Sequence, residues 1–260
     1  MKIVCYTSLV GDYDKLRKPK YTSENWDYVC FTDQALDGQG VWTVNPLHTQ
    51  IDADPGRTNR WHKMHPHKLF PDYDISIYID ANIRIKGPHL EKRVKDFIAS
   101  KTLIALPPHP KRNCVYQEIQ RNLIAETDKP EKIQQVESIL RQANFPENMG
   151  LFENNIIVRQ HNHRSIIQLN EEWWHFVSRY AKRDQLSLTY LLKKHNLVAE
   201  RIVPKGSSIR NFKGYKRYDH KMKFAALATY QFCNLIPIKN WRSQIRRSFL
   251  KKLRHQKEVA

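Results

Sequence analysis

The sequence predicts an α/β fold, and three observations lead there. Short apolar runs with every-second-residue alternation recur along the chain and break off at Thr, Ser, Asp or Asn. Longer stretches between them carry apolar residues three and four apart, the helical spacing. At 260 residues, 40% hydrophobic and 11% aromatic, the chain can bury the core of one large domain.

The clearest strand lies within Phe70–Lys86. Ile75, Ile77 and Ile79 alternate with Ser76, Tyr78 and Asp80, and Pro71 with an acidic turn precedes them. The run stops at Asp80-Ala81-Asn82 and alternation resumes at Ile83 and Ile85. On an extended chain residues i and i+2 point the same way. Asp80 and Asn82 would then offer two oxygens to one hard cation, Mg²⁺ or Mn²⁺. The same triplet also suits an Asx turn between two strands.

In chain order, Lys2–Leu9 reads as a first strand, followed by a polar loop over Gly11–Lys20. Trp26–Thr32 reads as a second strand ending at Asp33, and Val41–Val44 as a third, after a turn framed by Gly38 and Gly40. Thr7-Ser8 and Thr32-Asp33 are strand-end positions where open α/β sheets hold ligands, although ordinary turn chemistry explains them equally. Arg57–Leu69 begins as a basic helix with Arg57, Arg60 and Lys63 at helical spacing and is interrupted at Pro66. Cations ahead of a metal-presenting strand suit a diphosphate. The same stretch holds His62, His65 and His67, a possible transition-metal cluster or simply part of a solvated basic face.

Further on, helices are expected over His89–Ser100, Glu118–Glu126, Lys129–Ala143 and Ser165–Tyr180, and strands over Thr102–Leu106 and up to Val158. A loop dense in reactive side chains, His109–Glu118, lies among them. Trp173, Trp174 and Phe176 read as core. Leu188, Leu191 and Leu192 give the helix after Asp184-Gln185 a buried face; Asp184 is either its N-cap or a carboxylate turned to a reacting centre. Lys205–Lys223 reads as a basic loop.

The net charge is +18, which calls for an anionic partner. No helix-turn-helix, zinc-finger or RNP pattern accompanies it, so nucleic acid is not expected. Cys5, Cys30, Cys114 and Cys233 form no CxxC pair, which argues against a zinc ribbon and for a reducing compartment. The apolar run Ile3–Val10 is broken at Gly11-Asp12, so no signal peptide is expected, and no stretch is long and apolar enough to span a bilayer. From Phe232 the chain changes character: Ile238, Trp241, Ile245, Phe249 and Leu253 recur three or four apart amid seven Lys and Arg residues from Lys239 to Arg254. That pattern marks a helix on an anionic membrane surface, or a C-terminal helix packed on the domain.

Taken together, YTSLVGDYDKL, DYVCFTD, RxxRxxK ahead of FPDYDISIYIDANIRI, HPKRNCVYQE, GLFENNIIVRQHN, and EEWW before KRDQLSLTYLLKKH follow one order. Over Lys2–His195 this resembles a glycosyltransferase-like family, first catalogued as a domain of unknown function, with members in bacterial polysaccharide loci and plant Golgi proteins. The tail LIPIKNWRSQIRR is similar to tails of envelope-polysaccharide transferases. The resemblance implies a GT-A-like domain over residues 1–223, with a mixed central sheet flanked by helices, and a basic amphipathic segment over 224–260. It implies transfer of a sugar from a nucleotide-diphosphate donor to an envelope glycan or lipid-linked acceptor at the cytoplasmic face of the membrane. Asp80 and Asn82 match a DxD-type Mn²⁺ or Mg²⁺ motif with Asn in the last place. Asp184-Gln185 resembles the Asp-Gln pair of retaining family-eight glycosyltransferases, and Asn211-Phe212-Lys213-Gly214 resembles their metal-binding HFxG stretch with Asn for His.

Expected roles follow. Arg57, Arg60 and Lys63 would meet the phosphates, and Thr7 and Asp33 the nucleoside. Glu153 and Asn154 would bind sugar or acceptor. Asp184 would act as base or as a charge opposite an oxocarbenium-like centre, with Gln185 orienting the sugar. A hydrolase built on His62, His65, His67 and the carboxylates is the alternative.

Overall fold

The computed structural model describes residues 1–36, 40–51 and 53–219; the tail from His220 lies outside them. In chain order the elements are β1 (Ile3–Leu9), β2 (Trp26–Thr32), β3 (Thr43–Pro46), α1 (Pro55–Met64), α2 (Pro66–Leu69), β4 (Ile75–Ile79), β5 (Ile83–Ile85), α3 (His89–Ser100), β6 (Ile104–Leu106), α4 (Val115–Ile124), α5 (Pro130–Gln142), β7 (Ile156–Arg159), α6 (Arg164–Arg179), α7 (Gln185–Lys194), β8 (Ala199–Arg201) and β9 (Tyr215–Arg217).

Seven strands form one mixed sheet in the order β3-β2-β1-β4-β7-β6-β8. β3, β2, β1 and β4 run parallel, and β7 runs antiparallel to both β4 and β6. A two-stranded ribbon of β5 and β9 stands apart. Period-two alternation sorts the side chains. Cys5, Ile75, Ile77 and Ile79 pack with Leu90, Val94 and Phe97 of α3 on one face. Val4, Tyr6 and Tyr78 pack with Met64 of α1 and with Leu169, Trp173 and Leu188 of α6 and α7 on the other. β4 is buried on both faces, as a central strand of a largely parallel sheet must be.

Several boundaries differ from the sequence reading. The third strand starts at Thr43 because β2 pairs with it from Val29↔Thr43, while Trp42 packs edge-on against Tyr28. The basic helix begins at Pro55, with the Asp54 carboxylate accepting the Arg57 N–H at 3.0 Å. The helix expected from Glu118 begins at Val115, which places Glu118 in its first turn. β9 lies inside the stretch read as a basic loop. It is three residues long, and only Tyr215 of its side chains is buried.

Candidate active site

The parallel strands β1, β2 and β4 end at one edge of the sheet, where ligands of open α/β sheets bind. β4 ends in a turn, with the Ile83 N–H donating to Asp80 O at 2.9 Å. Asp80 and Asn82 are therefore not on an extended segment, and the alternation that would aim both at one cation is absent. Asp80 is a third exposed, whereas Asn82 is 2% exposed. Asn82 donates its side-chain N–H to Tyr218 O (2.9 Å) and accepts the Tyr218 N–H on its own carbonyl (2.9 Å). It fastens the turn to the end of β9.

α1 brings two cations to this edge. Lys63, 2% exposed, donates from Nζ to Asp184 Oδ2 at 2.6 Å and lies 3.9 Å from Asp80 Oδ1. Arg60 Nε is 3.3 Å from the same Asp184 oxygen, a charge contact without hydrogen-bond alignment. Asn59 fixes the group from below. Its Nδ2 donates to Ser8 O (2.7 Å) and Ser8 Oγ (2.8 Å), and its Oδ1 accepts from Arg60 Nη1 (2.6 Å). Beneath lies Arg159, fully buried, which donates to Lys63 O and Tyr6 Oη, each at 2.8 Å.

Asp184 occupies the N-cap position of α7 but caps nothing: no helix N–H bonds its side chain. Its carboxylate turns to Lys63 instead, and Trp173 Nε1–H holds its carbonyl at 2.9 Å. Burial pushes this carboxyl upward, but Lys63, Arg60 and Arg183 outweigh it and bring the pKa down to about 2. Burial lowers Lys63, against the pull of Asp184 and Asp80. Arg183, pulled down by burial, donates to Gln185 Oε1 at 3.3 Å. Gln185 Nε2 in turn donates to Phe152 O at 2.9 Å, tying the start of α7 to the loop before β7.

That loop carries Glu153 and Asn154. Asn155 O accepts the Asp80 N–H at 2.9 Å, so antiparallel pairing of β4 and β7 sets the loop beside the Asp80 turn. Asn154 is buried, and neither its Oδ1 nor its Nδ2 has a partner among the described residues. Glu153 Oε1 accepts from Arg210 Nε at 2.9 Å, while its buried Oε2 is unpartnered. Unmet buried polar atoms are costly. Three on two adjacent residues at a sheet edge are what a hydroxyl-rich ligand would satisfy.

Other expected residues lie elsewhere. Arg57 is spent on α6: its guanidinium donates to Val177 O and Tyr180 O (3.0 Å each) and pairs with Asp54 at 2.6 Å. Thr7 is fully buried inside β1, which continues to Leu9. Asp33 remains exposed and accepts the Gly11 N–H on both oxygens (3.0 and 2.9 Å); Gly11 has φ +61°, a conformation few side chains tolerate. Asn211 Oδ1 accepts the Ser208 N–H at 2.7 Å in a local turn. Nearby, a Cβ on Gly214 would come within 2.5 Å of the Phe212 ring, so that position needs glycine. Arg112 pairs with buried Glu118 at 2.5 Å.

Arg183, Arg210 and Asn59 belong to the site, and sequence reasoning passed over them. Arg183 stood beside the Asp-Gln pair, and Asn59 one residue before Arg60. Arg210 carried no signal, since its partner Glu153 is 57 residues away.

Among the described residues, His62, His65 and His67 do not form the transition-metal cluster that the sequence allowed. His62 bonds Thr58 O through Nδ1 (2.9 Å) and accepts the His48 N–H on Nε2 (3.0 Å), so both ring nitrogens are taken by backbone. His67 pairs with Glu171 at 3.0 Å. Among the described residues no group of three His, Cys, Asp or Glu side chains could hold a metal. A hard cation asks less of a protein, since one or two carboxylates suffice where waters and phosphate oxygens complete the shell; Asp80 is a partly exposed carboxylate at this edge.

Residues 1–213 match the family described as "TOD1/MUCI70, glycosyltransferase-like domain". The chain is 24% identical, over 223 residues, to "Probable hexosyltransferase MUCI70" of Arabidopsis thaliana; the match covers 74% of this chain and 37% of that relative's length. Among solved structures, the apo form of WbbM, a bifunctional glycosyltransferase, aligns at 11% identity with a TM-score of 0.45, over 94% of this chain and 50% of its own. With most of its length matched, the chain belongs to the TOD1/MUCI70 glycosyltransferase-like domain family.

Proposed function

We propose that the chain is a hexosyltransferase that moves a sugar from a nucleotide-diphosphate donor to a glycan or lipid-linked acceptor of the cell envelope. One observation carries the reading. Asp184, at a helix start, leaves the helix uncapped and keeps a buried carboxylate against Lys63, which also reaches towards Asp80 at the strand-end edge. Sugar transfer needs these groups. The departing nucleoside diphosphate gathers negative charge, which Arg60, Lys63 and Arg183 would offset. Asp80 would hold a Mg²⁺ or Mn²⁺, which when bound adds a Lewis acid at the phosphates. Asn82 positions the turn. Asp33 reaches the nucleoside from the end of β2, and Glu153 and Asn154 bind sugar hydroxyls with their unmet polar atoms.

Against the upward push of burial, Lys63, Arg60 and Arg183 hold the Asp184 carboxyl at a pKa of about 2, which supports the second of its two roles. A general base works best with a pKa near the operating pH, so Asp184 serves instead as a fixed negative charge beside the oxocarbenium-like centre, and Gln185 orients the sugar. The likeness of Asp184-Gln185 to the Asp-Gln pair of retaining family-eight glycosyltransferases supports retention at the anomeric carbon. Residues 224–260 carry the basic amphipathic pattern and would hold the enzyme at the cytoplasmic face of an anionic membrane. Among the described residues no helix is long and apolar enough to cross a membrane.

Asp184→Asn tests the assignment. It keeps the side-chain shape and removes the charge; because Lys63 is then left buried without its partner, the urea midpoint should fall as well, and activity is read under conditions where the variant is still folded. There sugar transfer should fall at least 100-fold while nucleoside diphosphate binding stays within a few fold. Turnover within fivefold of the parent would remove Asp184 from the chemistry.

A further inference from the structure

We infer that a second anion site, apart from the Asp80 edge, lies on the β5–β9 ribbon and takes a phosphate group. Three cations share one ring. Arg17 Cζ is 3.9 Å, Lys216 Nζ 4.8 Å and Arg84 Cζ 5.4 Å from the centroid of Tyr218. Arg84 and Lys216 are register partners across the ribbon, so two like charges stand directly opposite each other. Such a pair destabilises a ladder. Arg17 comes from the loop after β1 and is pinned there by Trp42 Nε1–H, which donates to Arg17 O at 3.1 Å.

Nothing among the described residues neutralises the cluster. None of the three cations is in an ion pair, and the adjoining Asp219 bridges to none of them. The Nε atoms of Arg17 and Arg84 are buried without a hydrogen-bond partner. Residues 220–260 contain ten Lys and Arg but one acidic side chain, Glu258, so the sequence there adds positive charge. A tyrosine face softens the repulsion but offers no acceptor to the buried guanidinium N–H groups. A phosphate does both: it cancels charge and accepts from planar guanidinium forks.

Placement suggests which phosphate. Tyr218 is bonded on both sides to Asn82, in the turn that carries Asp80, so the cluster adjoins the candidate active site. The donor's diphosphate has its own cations in Arg60, Lys63 and Arg183. On the transferase reading, on which this clause rests, the second site receives a phosphate on the acceptor, borne by a phosphorylated sugar or a lipid.

Titration calorimetry of the full chain and of Arg84→Gln/Lys216→Gln provides the test, with glucose 6-phosphate in one arm and, in the other, short-chain (dihexanoyl) phosphatidic acid kept monomeric, so that no membrane surface is offered to the basic tail. The parent should bind at least one probe, more weakly as salt rises, and the double variant should bind it at least tenfold more weakly. Binding in the first arm names a sugar phosphate; binding in the second alone names a lipid phosphate. In phosphate-free buffer the variant should melt at the same or a higher temperature, because a repulsion is gone. Equal binding by parent and variant, or no binding of either probe, overturns the site. Loss of nucleoside diphosphate binding in the variant also overturns it, by returning these cations to the donor. If no nucleotide binds the parent but phosphate binding still depends on Arg84 and Lys216, the transferase reading fails and the phosphate site stands.

Discussion

At the scale of single residues, Lys63 is the hinge of the account. It is a buried ammonium whose burial would be prohibitive alone, and it is stable because Asp184 lies 2.6 Å away. Removing one partner of such a pair leaves the other charge buried and uncompensated. Lys63→Met should therefore destabilise the fold by about 3 kcal/mol or more, read as a drop in the urea midpoint. Adding Asp184→Asn should restore part of that loss. A fall below about 1 kcal/mol, the range of an exposed pair, would mean that water reaches the pair. No spacing rule could have found this bond, since 121 residues separate its ends. The residue types were legible one by one, as a cation on a basic helix and an acid at a helix start. Their meeting required the packing of α1 against α6 and of α6 against α7.

At the scale of elements, α1 divides its cations between two tasks. Arg60 and Lys63 turn to the sheet edge, while Arg57 closes the C-terminal turn of α6 by donating to Val177 O and Tyr180 O. Carbonyls at a helix end have no partner within the helix, and a guanidinium is a good substitute. Arg57→Ala should cost about 1–3 kcal/mol of stability and leave nucleoside diphosphate affinity unchanged, as binding titrations would show. A tenfold loss of affinity would put Arg57 back at the phosphates. Helical spacing alone grouped all three cations because it reports which residues share a helix face, not what that face meets. β4 was plain in sequence because a central strand is apolar on both sides. β9 was not, because a three-residue ribbon edge with two basic residues reads as loop. The turn at Asp80–Ile83 was open to two readings, since one i→i+3 hydrogen bond separates an Asx-type turn from an extended segment.

At the scale of the whole molecule, charge links the site to its surroundings. A net charge of +18 combines the cations of the sheet edge and of the β5–β9 ribbon with a basic tail. Each Lys or Arg near an anionic leaflet contributes on the order of 1 kcal/mol, so deletion of Ile238–Ala260 should abolish co-sedimentation with anionic vesicles and leave donor hydrolysis intact. Continued pelleting of the truncated protein would reject the tail as an anchor. The central claim concerns the donor, and thermal unfolding with a panel of nucleoside diphosphates and nucleotide sugars, with and without Mn²⁺, tests it most directly. A ligand at a hundred times its dissociation constant stabilises by about 2.7 kcal/mol. An upward shift is expected with one nucleotide class, larger with Mn²⁺, and the Mn²⁺ increment should be lost in Asp80→Ala. No shift with any nucleotide, with or without metal, would contradict it.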